Sequence, residues 1–462
     1  MNNELEKRYS FKHVLAMVIG IVIGSGIFFK TPKALSLVNG SMTQCLICIA
    51  VVGLIAIISS NIFAVLARKH VKCIGFIDYA EATMGHTFSY YVGWFMAEMY
   101  YPIIAGTLAH MTAGYTCLFL GLRPFGWERI VFGLIFILLA IFVNSISPKT
   151  AGKIQITTTA LKLIPIILMA VVGSIVGLIN GNGISIFTDT SAEALSESTG
   201  FFGAICCFSF IFEGWGIATS MNSELKNPQR DLPLALTIGT FFSVIIYLLY
   251  TYSMGATLTA EEIVAADYWL PQIAFSNLFH SNLVGTLIYV FIIISCLGTL
   301  NGVIFSCMRS FYALAIRNQG PNPTTVAQFN HKTKMPTKSC ILGGIMAVFW
   351  YLQCSVLYYQ GPLQLDRTGL PVWLLGWEAD ELVIMAMYAL YIPIYAHIIK
   401  EMEDFNFVQR YLLPVLGICC SCFMFYCTWQ SYGNDQLLYF LCTTLVVMLV
   451  GSFFYKHDRN LE

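Results

Sequence analysis

Two short glycine-containing segments interrupt long apolar runs of the sequence. The first is Gly24–Gly26, with the sequence GSG, and the second is Glu213–Gly216, with the sequence EGWG. Glycine costs about 1 kcal/mol relative to alanine in a helix interior. In a membrane, each backbone group released by a break also needs another hydrogen-bond partner. Both segments therefore predict breaks in membrane helices where the backbone is free to bind a polar ligand.

The broken helix ends offer groups of opposite charge. A half-helix that starts after Gly26 points free N–H groups and the positive end of its dipole into the break, which suits a carboxylate. Free carbonyl groups near Val22 and Ile23, and near Phe210 and Ile211 at the second break, suit an ammonium group. A carboxylate and an ammonium group on one carbon define an α-amino acid. The pattern predicts an amino acid ligand.

A structural role for the first glycines is the alternative. Gly20 and Gly24 have the Gly-x-x-x-Gly spacing that allows two membrane helices to pack closely. The matching interruption at Glu213–Gly216 favours the binding role over packing alone.

Two charged residues inside apolar runs could add chemistry. Lys162 lies about nine residues inside its run, roughly 13 Å along a helix. A charge at that depth indicates a functional site, and the alternative is that its ammonium reaches the membrane surface. Glu213 would attract a cationic substrate side chain, or bind a proton, or pair with a neighbour.

Composition limits the class of protein. Hydrophobic residues make up 57% of the 462-residue chain and charged residues 11%, against about a quarter charged in soluble proteins. The 15 cysteines fall mostly in apolar runs, which indicates buried thiols. No nucleophile and base set and no His-Glu-x-x-His motif is present, so neither an enzyme, a metal site nor a cofactor is expected. Without long basic runs, nucleic acid is not an expected partner.

An all-α integral membrane protein with twelve transmembrane helices is predicted, since about 20 apolar residues span a bilayer. The expected spans are 12–37, 42–66, 84–114, 128–145, 154–179, 200–220, 233–256, 283–313, 339–357, 376–398, 410–429 and 435–455. With a cytoplasmic N-terminus, nineteen lysines and arginines fall on the cytoplasmic side, five on the outer side and one, Lys162, within a span. This asymmetry predicts a plasma (inner) membrane protein with both termini in the cytoplasm.

The two breaks occupy corresponding positions in two halves of the chain. Residues 1–462 form one transmembrane domain, in which repeat one covers about 12–179, repeat two about 200–398 and two further helices about 410–455. Interrupted helices at matching places in two halves point to the binding site of a transporter. A channel would instead show rings of polar residues along one pathway.

Several motifs resemble one family of transporters. The IGSGIF run at Ile23–Phe28 resembles the signature of the amino acid–polyamine–organocation superfamily. The FIFEGW run at Phe210–Trp215, the loop motif at Asn222–Pro233 and the GTLNG run at Gly298–Gly302 resemble its L-type amino acid transporter branch. The resemblance implies an inverted repeat of five plus five helices, with helices one and six discontinuous and two helices added. It also implies sodium-independent amino acid transport, usually by exchange.

The resemblance also implies roles for particular residues. The N–H groups of Ser25, Gly26 and Ile27 would bind the substrate carboxylate, and the carbonyls of Val22, Phe210 and Ile211 the ammonium. Phe210 would also be an aromatic gate over the substrate, within a site that includes Ile23, Gly24, Glu213, Gly214 and Trp215. Lys162 would stand where sodium-coupled relatives hold a sodium ion and would reach Ser295 and Thr299.

A disulfide-linked glycoprotein partner, which eukaryotic members of the branch have, is not expected here. The loop after span three is short, and Cys117 lies within or at the end of the span. A stand-alone, bacterial-type protein is the expectation. An ion pair between Glu224 and Arg230 is expected in the cytoplasmic loop.

The function predicted from these features is amino acid exchange by alternating access, with a preference for cationic amino acids if Glu213 faces the substrate. Proton-coupled transport of an amino acid or polyamine is the alternative, and an amino acid sensor that does not transport is a further one. The sequence leaves open which amino acid is carried, what Glu98 does and the oligomeric state.

Overall fold

The chain folds as an all-helical protein in a computed structural model that describes residues 10–70, 75–146, 148–180, 198–216, 225–330, 335–357 and 378–456. The helices in these ranges are α1 (Phe11–Val22), α2 (Gly26–Leu37), α3 (Met42–Lys69), α4 (Phe76–Met84), α5 (His86–Phe95), α6 (Tyr101–Phe119), α7 (Trp127–Ile146), α8 (Pro148–Leu168), α9 (Ser174–Ile179), α10 (Ser198–Ser209), α11 (Pro228–Thr257), α12 (Ala260–Ala266), α13 (Leu270–Phe279), α14 (Asn282–Ala315), α15 (Pro323–Val326), α16 (Thr337–Leu357), α17 (Ala379–Glu401) and α18 (Leu413–Ser452).

Seven stretches within the described residues are long and apolar enough to cross a membrane. They are Met42–Lys69, Trp127–Ile146, Ile154–Ile179, Pro228–Thr257, Asn282–Ala315, Ala379–Glu401 and Val408–Ser452. Large apolar side chains on these helices are exposed, for example Phe142 at 61% and Leu445 at 59%. Such surfaces suit a hydrocarbon solvent, and the protein is a multi-pass membrane protein.

The first and sixth predicted spans are both interrupted. Span one consists of α1 and α2, separated at Ile23–Ser25, and α10 of span six ends in a 3₁₀ turn at Phe210–Phe212. Residues 217–220 of span six and Glu224, predicted to pair with Arg230, lie outside the described residues.

Span three contains a second kind of interruption. A π-helical turn at Met96–Tyr100 joins α5 to α6, and Pro102 is the second residue after it. Proline has no N–H to donate to the carbonyl four residues earlier, which here belongs to Glu98. The Trp350 indole N–H donates to that carbonyl at 2.7 Å. The helix begins at His86, two residues later than predicted, because Gly85 ends α4 with a positive φ of 82°.

The two C-terminal spans form one long helical stretch with a sharp bend. Gly433 interrupts α18 with φ 69° and ψ −177°, a conformation that residues with a Cβ atom rarely adopt. The bend falls between the predicted spans 410–429 and 435–455.

The helices are grouped in two compact units, each built from separate stretches of the chain. Unit one comprises Met1–Ser89, Leu163–Ile288 and Ile384–Ser431, and unit two comprises Tyr90–Lys162, Tyr289–Val383 and Tyr432–Glu462. Unit one contains both helix breaks.

Polar side chains, half-buried in unit one and buried in unit two, join helices inside each unit. In unit one, the Thr237 hydroxyl of α11 donates to Asn61 Oδ1 of α3 at 2.8 Å. In unit two, Asn144 Nδ2 of α7 donates to Asn301 Oδ1 of α14 at 2.9 Å. Hydrogen bonds of this kind add to van der Waals packing between helices in lipid.

Candidate substrate site

The first break exposes the start of α2. After Val22 the backbone leaves the helical conformation at Ile23, with φ −71° and ψ 82°. Helix α2 then begins at Gly26, and the side chain of its N-cap residue Ser25 makes no capping hydrogen bond. The positive end of a 12-residue helix therefore faces the break, the arrangement that attracts a carboxylate.

The second break turns the chain sharply after a short 3₁₀ turn. Glu213 is extended, with φ −72° and ψ 152°, and Gly214 follows with φ 103°. Only glycine adopts this positive φ without strain. The turn ends the helical hydrogen bonding of α10 and sets the direction of Glu213 and Trp215.

The two breaks are in direct contact within unit one. A Cβ atom on Gly26 would lie 2.9 Å from Cδ1 of Phe210 and 3.3 Å from Cγ2 of Ile211. Real Cβ atoms are almost never found at the shorter distance, so the close approach of the two segments requires glycine at this position. The structure thus brings Gly26 together with Phe210 and Ile211. The other residues that the sequence assigned to this site lie along the same two segments: Val22, Ile23, Gly24, Ser25, Ile27, Glu213, Gly214 and Trp215.

Tyr247 of α11 joins both breaks through its buried hydroxyl group. The hydroxyl lies 2.6 Å from the Val22 carbonyl oxygen and 3.1 Å from the Ile211 carbonyl oxygen. It also accepts a hydrogen bond from the Gly24 N–H at 3.1 Å. One hydroxyl proton serves one carbonyl well at any moment. The two carbonyls that the sequence assigned to a substrate ammonium therefore share a single donor.

The sequence analysis did not identify Tyr247. The residue lies 225 positions from Val22, in an apolar run that contains further tyrosines. Nothing local distinguishes it, since its role depends on the register of α11 against the break.

Phe210 covers the start of α2 and is itself held by aromatic and cationic neighbours. Its ring makes an edge contact with Phe29, at 5.5 Å between centroids. The Lys30 ammonium lies over the same ring, 5.0 Å from the centroid, and Lys30 is only 2% exposed. A buried cation over an aromatic face stabilises the ring position. This is the place expected for a gate, with Lys30 as an additional contact.

Glu213 and Trp215 lie beside a cluster of aromatic rings in unit one. Glu213 is half-buried and interacts electrostatically with Tyr388. Trp215 lies 5.3 Å from Phe63 between ring centroids and 6.2 Å from Tyr391. A carboxylate next to several aromatic faces is suited to a cationic group.

Lys162, Ser295 and Thr299 all lie in unit two, where α8 packs against α14. Cβ atoms on Gly298 and Gly302 would lie 2.2 Å from Thr158 Oγ1 and 3.1 Å from Gln155 Oε1. Lys162, one turn beyond Thr158, is 3% exposed and interacts electrostatically with Cys296.

The Lys162 side chain therefore reaches the level of α14 that the sequence indicated. Ser295 precedes its neighbour Cys296, and its buried hydroxyl has no hydrogen-bond partner in the part of the chain that the structure describes. The Thr299 hydroxyl donates to the Ser295 carbonyl at 3.1 Å, within α14.

One group of three carboxylates is found among the described residues. Oxygen atoms of Glu378, Asp380 and Glu381, at the start of α17, lie within 4.8 Å of one another. The Tyr432 hydroxyl donates a hydrogen bond to Glu381. This contact between two helices of unit two gives Glu381 a role in packing, and we assign no ligand to the group.

Comparison with known proteins places the chain among transporters of amino acids. A sequence profile described as amino acid permease matches residues 9–452. The chain is 32% identical to the serine/threonine exchanger SteT of Bacillus subtilis, over 69% of this chain and 70% of that protein. It is 24% identical to the rat b(0,+)-type amino acid transporter 1, over 75% of this chain and 70% of that protein. The human cystine/glutamate transporter is 24% identical, over 72% of this chain and 66% of that protein.

Proposed function

The chain belongs to the amino acid permease family, and from that premise we propose that it is a sodium-independent amino acid exchanger working by alternating access. The substrate binds where the first and sixth membrane helices are broken. This proposal rests on one observation above all, the meeting of the two breaks at Gly26 and Phe210.

The ends of the broken helices supply the recognition common to all amino acids. The start of α2 at Gly26 binds the carboxylate with backbone N–H groups, among them those of Ser25 and Ile27. The carbonyls of Val22 and Ile211 bind the ammonium group. These two carbonyls already accept a hydrogen bond from the one Tyr247 hydroxyl, so each retains accepting capacity for a charged donor.

Exchange is supported by the relatives. SteT is named as a serine/threonine exchanger, and it is 32% identical over more than two thirds of each chain. An exchanger changes its conformation only when a substrate is bound. Phe210, in contact with Gly26 and with Lys30, is the gate that a bound substrate would have to release.

Lys162 takes the place of a coupling ion in this proposal. Its ammonium is buried at the level of Ser295 on α14, and a positive charge there removes the need for a sodium ion. Replacing a bound cation with a lysine keeps the local charge without linking transport to a gradient.

The surroundings of Glu213 determine which substrate side chains are accepted. A half-buried carboxylate with Trp215 and Tyr388 nearby favours substrates whose side chain carries a positive charge. We therefore propose a preference for cationic amino acids.

The protein is proposed to lie in the plasma (inner) membrane with both termini in the cytoplasm, and to work without a disulfide-linked partner. Cys117 is fully buried at the end of α6, so its thiol is not accessible to a second chain. The lysine and arginine asymmetry supports the orientation.

Counterflow in liposomes tests the function. The purified protein is reconstituted in vesicles loaded with one unlabelled amino acid, and uptake of labelled arginine, serine, alanine or glutamate is measured in choline buffer. We expect uptake only into loaded vesicles, at the same rate in choline buffer as in sodium buffer. Empty vesicles and vesicles without protein are the controls.

The same vesicles separate exchange from the other functions. If an inward proton gradient drove uptake into empty vesicles, the function would be proton-coupled transport and not exchange. Saturable amino acid binding without uptake under any of these conditions would indicate a sensor instead.

A further inference from the structure

A cavity lies in unit one, apart from the substrate site. Its volume is about 770 Å³. It is formed where α3 ends, where α11 begins and where the chain enters the π-helical turn before α18. The lining includes Arg68, Arg230, Gln229, Asn406 and Gln409, whereas none of the predicted substrate-binding residues contributes to it.

The described residues that line this cavity include two arginines and no acidic residue. Among the described residues, neither Arg68 nor Arg230 forms a salt bridge. The nearby acids bind other cations, because Asp404 lies 3.2 Å from Lys69 and Glu403 lies 3.9 Å from Arg410. Within the described part of the chain, two guanidinium groups are thus free to bind one anion. Arginine is well suited to phosphate, which it binds with paired N–H donors.

The start of α11 adds to the positive field. Helix α11 has 30 residues and no side-chain cap at its N-terminus, so the positive end of its dipole lies near Gln229, which lines the cavity. Arg230 in the first turn is unfavourable beside this dipole unless an anion is present. The one acid of that turn, Asp231, is 8% exposed and does not line the cavity.

Apolar side chains continue from the cavity along the outside of the helices. Leu234 and Val408 line it and remain 40% and 48% exposed. Ile238, one turn beyond Leu234, is 42% exposed. In a membrane protein these surfaces contact acyl chains. A ligand held here would have its charged group at the arginines and its apolar part along α11.

We propose that this cavity binds the phosphate headgroup of an anionic phospholipid. Arg68 and Arg230 bind the phosphate oxygens, the amide side chains bind the headgroup, and Leu234 and Val408 contact the first part of an acyl chain. Basic cavities between membrane helices are suited to such headgroups. The site sits on α3 and α11, the helices that carry Asn61 and Thr237, so lipid binding also stabilises the contact between them.

Lipid retention measured by native mass spectrometry tests the proposal. Protein purified from mixed micelles of phosphatidylglycerol and phosphatidylcholine is compared with Arg68→Gln, Arg230→Gln and the double variant. We expect the wild type to retain phosphatidylglycerol, each single substitution to weaken retention about fivefold and the double substitution more. Lys400→Gln is the matched control, since it removes a charge from an exposed residue that does not line the cavity.

Two further arms identify the ligand and the partner of Arg230. If inorganic phosphate displaced the lipid at equal concentration, this result would overturn the proposal of a lipid ligand and indicate a soluble anion instead. Glu224→Gln removes the acid predicted to pair with Arg230, and we expect this variant to retain lipid at least as well as the wild type. Equal retention of phosphatidylglycerol by the wild type and by both single variants would overturn the proposal, whatever the double variant does. Transport is not part of the readout, so this result is independent of the exchange assay.

Discussion

Tyr247 is the side chain on which the substrate site depends most. Its hydroxyl contacts Val22, Gly24 and Ile211. Replacing it by phenylalanine removes the one proton that the two carbonyls share and the oxygen that accepts from the Gly24 N–H. Each of these two lost hydrogen bonds costs about 0.5–1.5 kcal/mol. We expect Tyr247→Phe to weaken substrate binding by between about fivefold and a hundredfold, measured as the half-saturating concentration in counterflow.

The matched control for this prediction is one turn away. Tyr250 is also fully buried, and its hydroxyl has no hydrogen-bond partner within the described residues. Tyr250→Phe should leave substrate binding nearly unchanged. If both substitutions had the same effect, the hydroxyl of Tyr247 would not be organising the breaks, and general packing of α11 would explain the loss.

Glu213 is expected to decide which side chains are accepted. Its carboxylate interacts electrostatically with Tyr388, and Glu213→Gln removes the charge while keeping nearly the same shape. We expect the preference for labelled arginine over alanine in competition to fall by about tenfold, which corresponds to about 1.4 kcal/mol of lost attraction. Unchanged selectivity in that assay would remove Glu213 from the specificity determinants.

At the scale of helices, the π-helical turn of span three is hydrogen-bonded to α16. The Trp350 indole N–H donates to the Glu98 carbonyl, which Pro102 cannot bind. We expect Trp350→Phe to destabilise the protein by about 0.5–1.5 kcal/mol, the net contribution of one intramolecular hydrogen bond. Thermal unfolding in detergent measures the change.

A double substitution isolates that hydrogen bond from the loss of indole packing. Alanine at Pro102 restores an N–H that can bind the Glu98 carbonyl within the helix. In the Pro102→Ala background, Trp350→Phe should therefore cost less than in the wild type. An equal cost in both backgrounds would assign the effect to packing of the Trp350 ring alone.

The packing of α8 on α14 positions Lys162. Thr158 fits against Gly298, and Lys162 lies one turn further along the same side of α8. We expect Lys162→Ala to abolish uptake while the protein still folds and inserts, as judged by size-exclusion chromatography and by thermal unfolding. Thr158→Ser, which keeps the fit at Gly298, is the neighbouring control. Normal uptake by Lys162→Ala would rule out a role in coupling.

The sequence predicted these helices more successfully than the contacts between them. Glycine pairs located the break after Val22 and the turn at Gly214, because local backbone preference reports directly on such places. Tyr247 and Trp350 could not be predicted in the same way, since each acts on a segment distant in the chain. The π-helical turn in span three was also missed.

At the scale of the whole molecule, the two units draw on both halves of the sequence. Unit one contains predicted spans one, two, six and seven, and unit two contains three, four, eight and nine. Corresponding members of the two proposed repeats thus fall in the same unit. The sequence suggested contiguous halves and gave no indication of this interleaving, because compact units depend on packing between segments that are distant in the chain.

The orientation of the molecule can be tested with protease sites inserted in two loops. The loop at Gly320 follows α14, whereas the turn at His280–Ser281 precedes it. The lysine and arginine asymmetry predicts Gly320 on the cytoplasmic side and His280–Ser281 outside. A protease site is inserted at each position. In intact cells, added protease should cut only the site at His280–Ser281, and in inverted vesicles it should cut only the site at Gly320. The reverse pattern would reverse the assigned orientation.

The substrate contacts proposed at Val22, Gly26 and Ile211 are all made by backbone atoms. A point mutation changes side chains and leaves the peptide groups in place, provided that the helix still breaks where it does. Over evolutionary time, recognition of the amino and carboxyl groups is therefore inherited almost unaltered, while residues such as Glu213 can diverge freely. A lineage built on this site can acquire new substrates by single substitutions without passing through an ancestor that binds no amino acid.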